Sequence, residues 1–128
     1  MHNGSMENLL YSAAIVAAVI HAAIFVLESL AWKSPRVQRI FGARTEAQAE
    51  ALGPVLYNQG FYNLFVGIGV AVGLFLFSRD ESSALLGFSL SFMAAAALVL
   101  VGSVSRLWKA ALLQGGPPAL ALLALAVI

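Results

Sequence analysis

No cysteine occurs in the chain, which excludes disulfides, thiolate metal sites and thiol nucleophiles. Charge is scarce as well. Only 10% of the 128 residues are Asp, Glu, Lys or Arg, against 61% hydrophobic residues. A soluble domain of this length needs far more charge to cover its surface. Two histidines are present, His2 and His21, too few for a histidine-based metal centre. Seven basic and six acidic residues give a net charge of +1, which says nothing about partners.

What fills the chain is long apolar runs, at a mean hydropathy of +0.90. They cover residues 9–32, 54–77, 84–105 and about 111–128. At about 20 residues per crossing, these predict an all-α polytopic membrane protein, a four-transmembrane-helix bundle in one domain over residues 6–128. The first run is longer than a signal-peptide core and lacks a small-residue cleavage site, so it reads as retained. MHNGS, residues 1–5, reads as a cloning scar ahead of Met6, and His2 is set aside with it.

Basic residues predict the orientation. Lys33, Arg36, Arg39 and Arg44 follow the first run, and Arg106 and Lys109 follow the third, whereas Arg79 alone lies between the second and third. Cytoplasmic loops carry the excess of Lys and Arg, so both termini are expected outside a bacterial inner membrane.

Between the first two runs, Ser34-Pro35 reads as an N-cap with proline at the first helical position. PRVQRIF then predicts a short amphipathic helix at the cytoplasmic interface, ended by Gly42. Thr45 and Gln48 form a capping-box pattern opening a second short helix, with Gly53-Pro54 punctuating the chain before the next span. Gly69 and Gly73 make a GxxxG pair suited to close helix approach. In the last run, Gly115-Gly116-Pro117-Pro118 predicts a break, favoured as one buried in protein.

The polar residues inside these runs are the functional lead. His21 and Glu28 lie seven residues apart, on one helix face. Ionisable groups in a span are costly and mark a function or a specific internal partner. On the expected orientation, Asn58, Gln59, Tyr62 and Asn63 share the inner half of the membrane with Glu28, and so do Arg106 and Gln114. Converging donors and acceptors in an apolar wall predict a small-molecule or lipid-headgroup pocket open to the cytoplasmic side. The same amides and hydroxyl also suit interhelical hydrogen bonds, at about 0.6–2 kcal/mol each.

Metal binding is not expected, because His21 and Glu28 stand roughly 10 Å apart along the axis. No cofactor is expected either. Acid/base work by Glu28 and His21 on a lipid-like substrate stays open as an enzymatic alternative. Three readings therefore stand, with binding or transport ahead of a structural partner-associating bundle and an enzyme last. Four helices are few for a transporter, so enclosing a pathway would call for a homo-oligomer. Membrane lipids are expected partners and nucleic acid is not.

His21-x6-Glu28, the block Asn58-Gln59-Gly60-Phe61-Tyr62-Asn63, Val104-Ser105-Arg106 and Gln114-Gly115-x-Pro117 occur in this order. The set resembles the small bacterial four-helix membrane proteins of the domain of unknown function 1304 family, from about Asn8 to Leu125. The NQGxYN block is its most specific part. An acidic residue commonly precedes the histidine in that family, and here the position is Ile20. The resemblance implies the four-helix topology and the choice of residues, and it brings no substrate.

Overall fold

The computed structural model describes residues 4–128, and Met1, His2 and Asn3 of the expected scar lie outside them. Gly4 and Ser5 of that segment open the first helix. The described residues form helices joined by short turns, with no strand: α1 Gly4–Phe25, α2 Pro35–Ile40, α3 Glu46–Ser78, α4 Ala84–Ser103 and α5 Trp108–Val127. A π-helical turn, Val26–Leu30, continues α1, and a 3-10 turn, Ser105–Leu107, precedes α5. Four stretches are long and apolar enough to cross a membrane: Gly4–Leu30, Glu46–Ser78, Ala84–Ser103 and Ser105–Val127. The chain is a multi-pass membrane protein.

It divides into two compact units, one running to Ile20 and resuming over Val66–Ile128, the other His21–Phe65. The first unit is a four-helix bundle. Leu10, Ala14 and Ala17 of α1, Val70 of α3, Leu86, Leu90 and Met93 of α4, and Ala121 and Ala124 of α5 form one buried cluster. Without a hydrophobic driving force between helices in lipid, close backbone approach has to hold such a bundle. The GxxxG pair provides it. A Cβ on Gly73 would stand 2.7 Å from the Leu86 backbone, and one on Gly69 would stand 2.5 Å from Ser89 Oγ. Gly115 does the same for α5, since its Cβ would stand 2.6 Å from that of Ala97. These glycines serve packing within the chain.

The expected break at Gly115–Pro118 does not form. α5 starts at Trp108 and stays helical through both prolines, with Pro118 buried. Pro117 and Pro118 lack the N–H groups that would bond Leu113 and Gln114 four residues back. Packing of the glycine face on α4 overrides that local loss.

The second unit also departs from expectation at proline. In place of a short helix, a stop and a new span, α3 runs unbroken for 33 residues with Pro54 inside it. The capping box forms as read: Gln48 N–H donates to Thr45 Oγ1 at 3.1 Å, and Gln48 Oε1 accepts from the N–H groups of Thr45 and Arg44 at 3.2 and 2.7 Å. Pro54 comes two turns later and removes one backbone bond, to the carbonyl of Glu50. Glu50 itself is an exposed residue.

The connection between the spans follows its sequence signals closely. Pro35 opens α2, although the Ser34 hydroxyl makes no capping bond. Gly42 turns the chain at φ +86°, where a side chain would be strained. At the far end of α3, Asp80 takes the left-handed conformation and Glu81 N–H reaches back to Leu76 O at 3.0 Å, a Schellman-type stop.

Candidate functional site

The His21–Phe65 unit holds most of the residues singled out by sequence. Its centre is a polar clamp between the end of the first span and the middle of α3. Asn63 Nδ2 donates to Glu28 Oε1 at 2.8 Å and also to the Gln59 carbonyl at 3.2 Å. Glu28 is 2% exposed and lies in the π-helical turn, closed by Ala31 N–H donating to Val26 O at 2.8 Å. A π turn adds one residue to the helical circuit and re-aims the side chains around it, a feature frequent at functional sites.

Two neighbours extend the clamp. Ser29 Oγ donates to the Tyr57 carbonyl at 2.8 Å. Gly60 makes that approach achievable, because a Cβ there would collide with Ser29 Oγ and stand 3.2 Å from Glu28 Cβ. Phe25 meets Phe61 edge to face, with centroids 5.0 Å apart. The clamp therefore accounts for three positions of the NQGxYN block: Gly60 for approach, Phe61 for ring packing and Asn63 for the carboxylate.

The rest of the candidate set is dispersed. His21 is buried at 3% exposure. Asn58, Gln59 and Tyr62 are exposed, Tyr62 at 62%, so their side chains do not line an enclosed pocket with Asn63. The helical period explains why: Asn58 and Tyr62 sit on the side of α3 opposite Gly60 and Asn63. Arg106 is exposed in the 3-10 turn and Gln114 is half-buried in α5, both in the four-helix unit. No group of three or more His, Asp or Glu residues suited to a metal ion occurs among the described residues.

One concave feature went unread in the sequence. An open groove of about 810 Å³ lies in the His21–Phe65 unit, lined by Trp32, Lys33, Gln38, Arg39, Arg44 and Glu46 among others. Its frame is fastened by hydrogen bonds. Trp32 Nε1 donates to the Ala49 carbonyl at 3.0 Å, Gln38 Nε2 donates to the Trp32 carbonyl at 3.0 Å, and Ala43 N–H donates to Gln38 O at 2.9 Å. Phe41 packs on the Trp32 ring at 6.0 Å, and Gly53 leaves room beside that ring, where a Cβ would stand 3.2 Å from Nε1. The basic residues were visible in sequence as an orientation signal. Their concavity depends on the Gly42 turn, which the sequence signals, and on an unbroken α3, which it does not.

The model of the family described as "Protein of unknown function (DUF1304)" matches residues 15–126. Comparison with curated proteins and with solved structures yields no significant match. The chain belongs to the DUF1304 family.

Proposed function

We propose that this chain is a membrane binding protein that takes a small polar molecule or a lipid headgroup on the cytoplasmic side of a bacterial inner membrane. The observation that carries the reading is the 810 Å³ groove, a volume typical of small-molecule sites, with both a hydrogen-bonded frame and a charged lining. Residues 33–53 form the cytoplasmic connection on the expected orientation, with both termini outside.

Helix length supports that placement. At 1.5 Å per residue, the 33 residues of α3 extend about 50 Å, well beyond a hydrocarbon core of about 30 Å. Charged Lys33, Arg39 and Arg44 on the groove and exposed Asn58, Gln59 and Tyr62 on α3 suit headgroup level better than acyl chains. The Glu28–Asn63 bond holds the two helices that frame the groove.

Native mass spectrometry of protein extracted in mild detergent tests the reading. Wild type is expected to retain a small mass that Glu28→Leu and Asn63→Leu both lose, while Arg79→Gln keeps it. Retention by both clamp variants, or no retained mass in wild type, overturns it.

A second reading rests on the clamp alone: a structural bundle whose polar groups fix helix packing for association with another membrane protein. The bond from Asn63, which gives buried Glu28 a partner within the chain, favours it. Under that reading the clamp variants lose stability or a protein partner, and no small mass is involved.

A further inference from the structure

We propose that the groove framed by Trp32, Lys33, Arg39 and Arg44 is a site for a phosphate group, carried by a lipid headgroup or by a small soluble ester. This deepens the binding reading above and rests on it.

Three cations reach the groove from three places in the chain: Lys33 just past the π turn, Arg39 in the last turn of α2, and Arg44 beyond the Gly42 turn. Glu46 and Glu50 line the same groove. Among the described residues, neither acid forms an ion pair with any of the three, and a pair does form between Arg79 and Glu81 elsewhere. Three cations against two acids leave the groove net positive, and with no ion pair holding the guanidinium groups they are available to an anion there. Two arginines favour a phosphate in particular, since each guanidinium presents a planar fork that bonds two phosphate oxygens at once. Lys33 adds a mobile point charge.

An excess of basic residues is also what any cytoplasmic loop carries, and that alone would scatter them. Arg36 provides the contrast. It belongs to the same short helix as Arg39 and is exposed, yet it does not line the groove. A general attraction to anionic membranes uses Arg36 as much as Arg39. A site does not.

The chain has two tryptophans, Trp32 and Trp108. A Trp108→Phe background therefore makes Trp32, which lines the groove, the sole indole reporter. The full chain in a neutral detergent is titrated with sn-glycerol 3-phosphate and with dihexanoyl phosphatidic acid while Trp32 fluorescence is read. Saturable binding is expected for at least one. Arg39→Gln with Arg44→Gln should raise Kd about tenfold or more, and Arg36→Gln should leave it within about twofold. Equal affinities identify a soluble phosphate ester, and a preference for the acylated compound identifies a headgroup seat; both support the proposal.

Equal weakening by Arg36→Gln, or no saturable response to either compound, overturns it. In the latter case a small mass still retained by wild type leaves the binding reading standing with a ligand that lacks phosphate. Absence of both the response and the mass removes both.

Discussion

Asn63 donates its side-chain amide to the carboxylate of Glu28 at 2.8 Å, across 35 residues of chain. The bond joins the π-helical turn at the end of the first span to the face of α3 that Gly60 opens. A buried carboxylate next to hydrocarbon has few other donors. Removing the amide therefore strands an acceptor, which costs about 1–3 kcal/mol.

Asn63→Leu should accordingly lower stability by about 1–3 kcal/mol, measured by denaturant titration in micelles. Glu28→Leu made in the Asn63→Leu background should cost less than the same change in wild type, because the stranded carboxylate goes with it. A double-mutant cycle reads that coupling directly. Strict additivity would mean that the bond contributes nothing.

Glycine positions offer a graded test of packing. Gly60→Ala drives a methyl into Ser29 Oγ and should break the Ser29–Tyr57 bond. Gly73→Ala meets the Leu86 backbone at 2.7 Å, where nothing can swing aside. Each should cost about 1–3 kcal/mol. Gly102→Ala meets nothing within 4 Å and should be neutral or slightly stabilising, as alanine favours the helix. Thermal unfolding of the three variants, ranked by midpoint, checks the order.

Much of this architecture was legible in the sequence because it rests on local rules. Composition and run length reveal four spans, Thr45 and Gln48 mark the start of α3, and Gly42 marks the end of α2. Glu28 and Asn63 were both singled out as polar groups in apolar surroundings, and the structure joins them. What misled was proline. Gly53-Pro54 read as punctuation before a span and Gly115–Pro118 as a break, yet both helices continue, because tertiary packing outweighs a missing backbone bond. Spacing places Asn58 and Tyr62 on α3 without revealing which face meets the neighbouring helix. The groove depends on how three separate segments fold back together, and no single window of sequence carries that.

Pro54 yields the next expectation. It sits inside a continuous helix, where proline commonly costs about 3 kcal/mol through its lost N–H and its ring. Pro54→Ala restores the bond to the Glu50 carbonyl and should raise the unfolding midpoint. Were α3 two helices hinged at Gly53-Pro54, the same substitution would straighten a needed bend and lower it. Thermal unfolding in detergent separates the two directions.

Orientation can be tested with unusual clarity because the chain has no cysteine of its own. Any thiol introduced is the only one to react. Ser82 lies in the exposed turn that carries Arg79, and Ala47 is exposed in the first turn of α3, beside the basic connection. The Lys and Arg excess predicts Ala47 inside and Ser82 outside. In intact cells stripped of any outer membrane, a membrane-impermeant maleimide should label the Ser82→Cys variant and spare the Ala47→Cys variant until the cells are opened. The converse pattern would put the groove on the external face. It would then see solutes from outside rather than the anionic cytoplasmic leaflet, and a cytoplasmic ligand would be ruled out together with the assigned topology.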